Sequence, residues 1–120
     1  MVRDRAGLER GLAAIDAIEA ELLATGIADA GRRFNLTWHD WLNLRSLAEI
    51  SRVIAHGALK RENSRGAHFR SDFPEPGDLG TSWFTVARQT PAGIDIGTQP
   101  VAFTHVKPGE TLLRDQVAAE

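Results

Sequence analysis

Apolar residues recur at helical spacing from the start of the chain. Leu8, Leu12, Ile15, Ile18 and Leu22 stand three or four positions apart, with Glu19 turned away, which predicts a helix over residues 5–25. Ala13, Ala14, Ala17, Ala20 and Ala24 favour the same state, Asp4 is placed to cap its start, and Gly26 to stop it. Residues 26–36 read as a connector in which Gly31-Arg32-Arg33 is polar and Phe34 and Leu36 tuck into the core. A second helix is predicted from about Trp38 to Arg61, capped by Thr37 with Asp40 in its acidic first turn. Its apolar positions, from Trp38, Trp41, Leu42 and Leu44 to Val53, Ile54, Ala58 and Leu59, cover more than one stripe. One partner helix does not need so wide a face. Gly57 costs that helix about 1 kcal/mol relative to alanine, which a close helix crossing would explain.

Beyond the second helix the pattern changes. Pro74, Pro76, Gly77 and Gly80 keep residues 62–81 irregular. Short strands are predicted at Trp83–Ala87, Ile94–Ile96 and Pro100–Val106, the first two joined as a hairpin by Thr90-Pro91-Ala92-Gly93. Lys107-Pro108-Gly109 ends the last strand. The expected organisation is a single domain over 1–120: a helical hairpin at 5–61, an irregular loop at 62–81, short strands at 82–108 and a polar, frayed tail at 109–120. The fold class is mainly α, an antiparallel pair of long helices (part of a three-helix, spectrin-like bundle) followed by the loop and a small β hairpin.

Composition narrows the chemistry. A length of 120 residues suits one domain with a modest core. The net charge of -2 gives no general pull toward nucleic acid or anionic membranes. With no cysteine, disulfides, zinc ribbons, iron–sulfur ligation and thiol catalysis are excluded. No signal peptide is visible, no apolar run reaches the roughly 18 residues of a membrane span, and a cytoplasmic setting is expected. His39, His56, His68 and His105 lack metal-ligand spacing, so no metal is expected. Trp38, Trp41 and Trp83, with Phe34, Phe69 and Phe73, offer rings for a flat ligand. The Trp38/Trp41 spacing is that of core packing, and no Gly-x-Gly-x-x-Gly follows a strand. Arg32-Arg33 and Lys60-Arg61 sit among acidic neighbours as solvated faces.

The most distinctive stretch is Arg61-Glu62-Asn63-Ser64-Arg65-Gly66-Ala67-His68-Phe69-Arg70-Ser71-Asp72-Phe73-Pro74. Arg65 and Arg70 offer cationic forks for a carboxylate or phosphate, His68 an imidazole, and Gly66 freedom for a tight turn. These residue types suit three roles: tying down the loop by bonding the last carbonyls of the second helix, docking another surface, or direct chemistry. Together with Asn43-Leu44, Ala48, Ile50, Ala58-Leu59 and Arg61, the Ser-Arg-Gly-Ala-His run resembles the C-terminal helical domain of the succinate dehydrogenase / fumarate reductase / L-aspartate oxidase flavoprotein family. The resemblance is strong over about residues 43–76 and weaker over most of the chain. It departs at Asn63, where the family has Glu, with Glu62 one position earlier.

The resemblance implies a non-catalytic C-terminal domain or separately encoded subunit of an FAD-dependent oxidoreductase acting on a dicarboxylate. The family's catalytic arginine and substrate-binding histidines lie in its flavin-binding body. No catalytic, cofactor-binding or metal residue is therefore carried over, FAD belongs to the parent or partner flavoprotein, and no activity is expected of this chain alone. Ser64, Arg65, Gly66, His68 and Arg70 are the candidate docking residues toward that body, in cis or in trans. Val2-Arg3-Asp4 resembles the family's entry into the domain's second helix, so the resemblance also implies that the first helix is missing. The apolar surface left on the second helix calls for a cover: the hairpin, a second copy of the chain, or the flavoprotein body. Homodimerisation is thus a physical expectation. A free-standing interaction or assembly module that self-associates or binds a flavoprotein is the rival reading.

Overall fold

A computed structural model describes residues 2–110. Helix α1 spans Arg5–Thr25 and α2 Leu36–Lys60; strands β1 (Trp83–Thr90) and β2 (Gly93–Pro100) form a two-stranded antiparallel sheet. The mainly helical architecture with a small hairpin is the one the sequence pattern predicts. The tail expected over 109–120 lies, from residue 111 on, outside the described residues.

Helix α1 begins where expected. The Asp4 carboxylate accepts the Gly7 amide at 2.6 Å, and Gly26, at φ 63°, closes the other end by donating its N–H to Leu22 O. The cap of α2 is corrected from Thr37 to Asn35. The Asn35 side chain accepts from Trp38 N at 2.8 Å while its amide donates to Asp29 O and Gly31 O. That side chain holds both the connector and the helix start, which Thr37, already inside the first turn, does not reach.

The helices run antiparallel. Arg5 of α1 pairs with Glu62 just past the end of α2, and Trp41 near the start of α2 donates its indole N–H to Leu22 O at 3.0 Å. Half-buried Leu8, Ile15 and Leu22 repeat at seven on α1; Trp41, Ala48 and Ala55 repeat at seven on α2. Matching seven-residue stripes are how two helices keep one long seam in register. Arg52 reaches across it to Asp16 and Glu19.

The seam is narrow. Among the described residues, Ala48 and Ala58 are the only apolar side chains that are buried. Ile18, Leu44, Leu47, Ile50 and Ile54 are each half or more exposed. Phe34 and Leu36 do not tuck into the core: Phe34 is 99% exposed, with φ 52°, and Leu36 is 75% exposed. The seam ends at Leu22 and Trp41, before the connector, so nothing there covers them.

The hairpin is longer than predicted and the third strand is absent from the described residues. β1 and β2 pair from Trp83↔Pro100 to Thr90↔Gly93, leaving Pro91-Ala92 as a two-residue turn with Gly93 at φ 117°. Val101 N donates to Ser82 O, and no strand follows it. Pro100, lacking an N–H, ends the ladder opposite the first residue of β1. Gly57 faces this hairpin rather than a helix crossing: a Cβ there would lie 3.5 Å from Thr85 Cγ2.

Candidate functional site

The segment after α2 is organised by one buried cation. The Arg70 side chain is fully buried. Its Nη1 donates to Ala58 O (3.0 Å) and Leu59 O (3.1 Å) in the last turn of α2 and to Arg61 O (3.4 Å) of the capping residue. A helix end leaves such carbonyls without partners and carries partial negative charge, so a guanidinium there answers both needs. Its Nε and Nη2 grip the two oxygens of Asp72 as a fork, and the ring of Phe73 lies 5.0 Å beneath. Asp72 in turn accepts the Arg5 amide at 3.0 Å. The hydrogen bonds from Arg70, then that of Arg5, hold the Asp72 carboxyl well below the usual carboxylate range. One Arg–Asp pair thus fastens the end of α2 to the beginning of α1.

Backbone bonds complete the fastening. Arg3 N donates to Phe69 O and Ser71 N to Arg3 O, a short parallel bridge between residue 3 and the loop. Ser64 Oγ donates to Phe73 O at 2.8 Å and accepts the Arg70 amide at 2.9 Å. Arg65 and His68 exchange N–H···O bonds around a turn in which Gly66 has φ 58°, a conformation that glycine adopts without a Cβ penalty.

The second arginine is equally committed. Arg65 donates to Pro76 O (2.6 Å), Ser82 Oγ (2.8 Å) and Asp78 O (2.7 Å), tying the irregular segment to the residue before β1. His68 Nε2 lies 3.3 Å from Arg61 O. Burial, reinforced by the charges of Arg61, Arg3 and Arg70, pushes its pKa below the ordinary histidine value. Ser64, Arg65, Gly66, His68 and Arg70 are therefore brought into one substructure, with Gly66 and Ala67 exposed at its tip. Asp72 and Arg3 are equal partners in it that sequence reasoning did not single out. The Arg-x-Asp spacing was a visible signal for Asp72; the role of Arg3 depends on a contact across some 65 residues.

A pair of antiparallel helices whose cationic loop latches the end of one to the start of the other defines a helical domain with its outer faces left open. The family described as "Fumarate reductase flavoprotein C-term" matches residues 1–113, and the chain belongs to that family. The fumarate reductase flavoprotein subunit of Mycobacterium tuberculosis is 33% identical over 109 residues, which is 90% of this chain and 19% of that protein. L-aspartate oxidase 1 of Ralstonia nicotianae is 43% identical over 54 residues, 45% of this chain and 10% of its own length. Among solved structures, E. coli quinol fumarate reductase FrdA superposes with a TM-score of 0.81 over 91% of this chain and 19% of its own, at 21% identity. The Mycobacterium smegmatis Sdh1 complex matches with a TM-score of 0.64 and 26% identity, over 82% of this chain and 17% of the other. The chain thus matches between a tenth and about a fifth of the length of these relatives, and the resemblance carried by the Ser-Arg-Gly-Ala-His segment is confirmed.

Proposed function

We propose that this chain serves as a non-catalytic C-terminal domain, fused or separately encoded, of a succinate dehydrogenase- or fumarate reductase-like FAD-dependent oxidoreductase, and that it packs against the flavin-binding body. The observation that carries this reading is the open α1–α2 face. Ile18, Leu44 and Leu47 border an apolar hollow of about 210 Å³ with Ile15 and Ala48, and are at least half exposed. Exposed apolar surface of this kind marks an interaction site.

The residues described here do not fit FAD. They hold no strand–glycine turn–helix unit for a pyrophosphate, and the donors of Arg65 and Arg70 are already committed to carbonyls, Ser82 and Asp72. In this reading FAD sits in the body and supplies the hydride chemistry. No catalytic step is assigned to this chain. Its own contribution is a rigid surface, with the Ser64–His68 turn and Arg70 setting the shape of the docking loop.

The test is a pull-down from native cell extract with the tagged chain as bait, read by flavin absorbance and partner mass. A stoichiometric yellow partner of flavoprotein size is expected, and no fumarate reduction by the chain alone. Turnover by the pure chain would reject the reading. A colourless eluate containing only the chain would replace it with a self-associating module.

A further inference from the structure

A second open surface lies along the C-terminal half of α2. A groove of about 510 Å³ between α2, the hairpin and the loop is lined by Arg3, Ile54, Arg61, His68, Trp83 and Phe84, among others. Its apolar part is wet: Ile54 is 63% exposed, Trp83 56% and Phe84 59%. Its polar part is cationic. Arg3 spends one donor on Ala67 O at 3.3 Å, and Arg61 one on Asn63 Oδ1 at a marginal 3.5 Å. Among the described residues neither has a carboxylate within 4.0 Å, whereas Arg5, Arg52 and Arg70 are each paired. The neighbouring acids are already engaged, Glu62 by Arg5 and Asp72 by Arg70. Among the described residues, no acidic side chain lines the groove.

The two halves select the kind of occupant. A free phosphate or small dicarboxylate would answer the arginines but leave three large apolar side chains in water. An apolar segment would cover those side chains but strand two guanidinium groups without counter-charge, an expensive outcome once water is excluded. A peptide segment with a carboxylate between apolar side chains satisfies both. We propose that this groove receives such an acidic, apolar-flanked segment of the flavin-binding body, its Asp or Glu paired with Arg3 and Arg61 and its neighbours lying on Ile54, Trp83 and Phe84. The proposal rests on the function proposed above and names the surface and chemistry of the contact.

His68 provides a built-in reporter. It lines the same groove under the field of Arg3, Arg61 and Arg70, so an arriving carboxylate offsets that field. The experiment selects short peptides from a displayed random library on the full chain and follows the His68 ring by NMR. Selected peptides are expected to carry Asp or Glu flanked by Leu, Ile, Val or Phe. The His68 pKa should be higher with such a peptide bound than with its Asp→Asn or Glu→Gln counterpart, which covers the ring equally but brings no charge. R61E and R3E are expected to weaken binding by about tenfold or more. Arg61→Gln serves as a milder variant, with the backbone spectrum confirming that each variant is folded.

Enrichment of peptides without an acid, a His68 pKa no higher with the acidic peptide than with its amide counterpart, or R61E and R61Q binding as well as wild type would overturn the proposal. Glutarate binding as tightly as the peptides would replace it with a small-anion site. Binding through a second copy would appear as self-association of the chain abolished by R61E. The proposal and the function on which it rests fail separately. If R3E and R61E variants still capture the yellow partner at wild-type yield, the groove assignment falls and the function stands. If acidic peptides bind but no flavoprotein is captured, the function falls instead.

Discussion

At the scale of single residues, the least exposed side chain among the described residues is a charged one, and that inverts the usual order of a folded domain. Arg70 replaces a hydrophobic centre with a hub of charge-assisted hydrogen bonds to α2, Asp72 and, through Asp72, α1. Removing it leaves several carbonyls and a carboxylate without their donor. Arg70→Ala is expected to cost about 3 kcal/mol, read as a lowered urea midpoint, a large part of the stability of a domain this size. Arg70→Lys keeps the charge but not the fork, so it should fall between the two. Acid should weaken the domain in two separate windows. His68 has a lowered pKa, so the unfolded chain takes up its proton first, and stability drops as pH falls below about 6.5. Asp72 also has a lowered pKa, so its contribution is full above about 4 and is lost as pH falls further. Urea midpoints measured across this range should show both steps. His68→Gln should erase the upper step and Asp72→Asn should shrink the lower, leaving the part that Asp78 contributes through its bonds to Thr81 and Gly80; an undiminished lower step in Asp72→Asn would contradict the assignment.

At the scale of elements, the two helices, their antiparallel order and the hairpin were legible because period and punctuation are local properties. The cap of α2 was misread because Thr37 and Asn35 are both good caps. The choice depends on where the connector's carbonyls of Asp29 and Gly31 end up. Phe34 was misread for a related reason: hydrophobicity predicts burial only when a neighbour is present to cover it, and here the seam stops short. In the candidate site the turn residues were visible in the motif. The groove was not, since Arg3, Arg61 and Trp83 meet only through the fold. Gly57 is the clearest case of a right question with a different answer. Its free side faces Thr85 of β1, and a methyl group placed there meets only an ordinary van der Waals contact at 3.5 Å. Gly57→Ala should therefore stabilise the chain by about 0.5–1 kcal/mol through helix propensity. Gly57→Leu should push the hairpin off α2, visible as changed Trp83 fluorescence. A destabilised alanine variant would show that the helix and hairpin sit closer than this geometry has them.

At the scale of the whole molecule, the seam buries little and the outer faces expose much, so the chain is stable in proportion to what covers it. A partner that binds the folded state raises the unfolding midpoint by mass action, without any change in the contacts inside the chain. Ile18 and Leu47 are the sharpest probes because both border the apolar hollow and both are more than half exposed. Replacing them with lysine touches no buried contact, so the isolated chain should keep its urea midpoint to within about 0.5 kcal/mol. The same double substitution places two ammonium groups in a surface that must be dry when covered. Capture of the flavoprotein partner should then fall by an order of magnitude or more. Stability and association are thereby separated in one variant. If I18K/L47K unfolds the chain, the face is part of its own core. If capture is unchanged, the covering surface lies elsewhere, and the groove at Arg3, Arg61 and Trp83 becomes the principal contact.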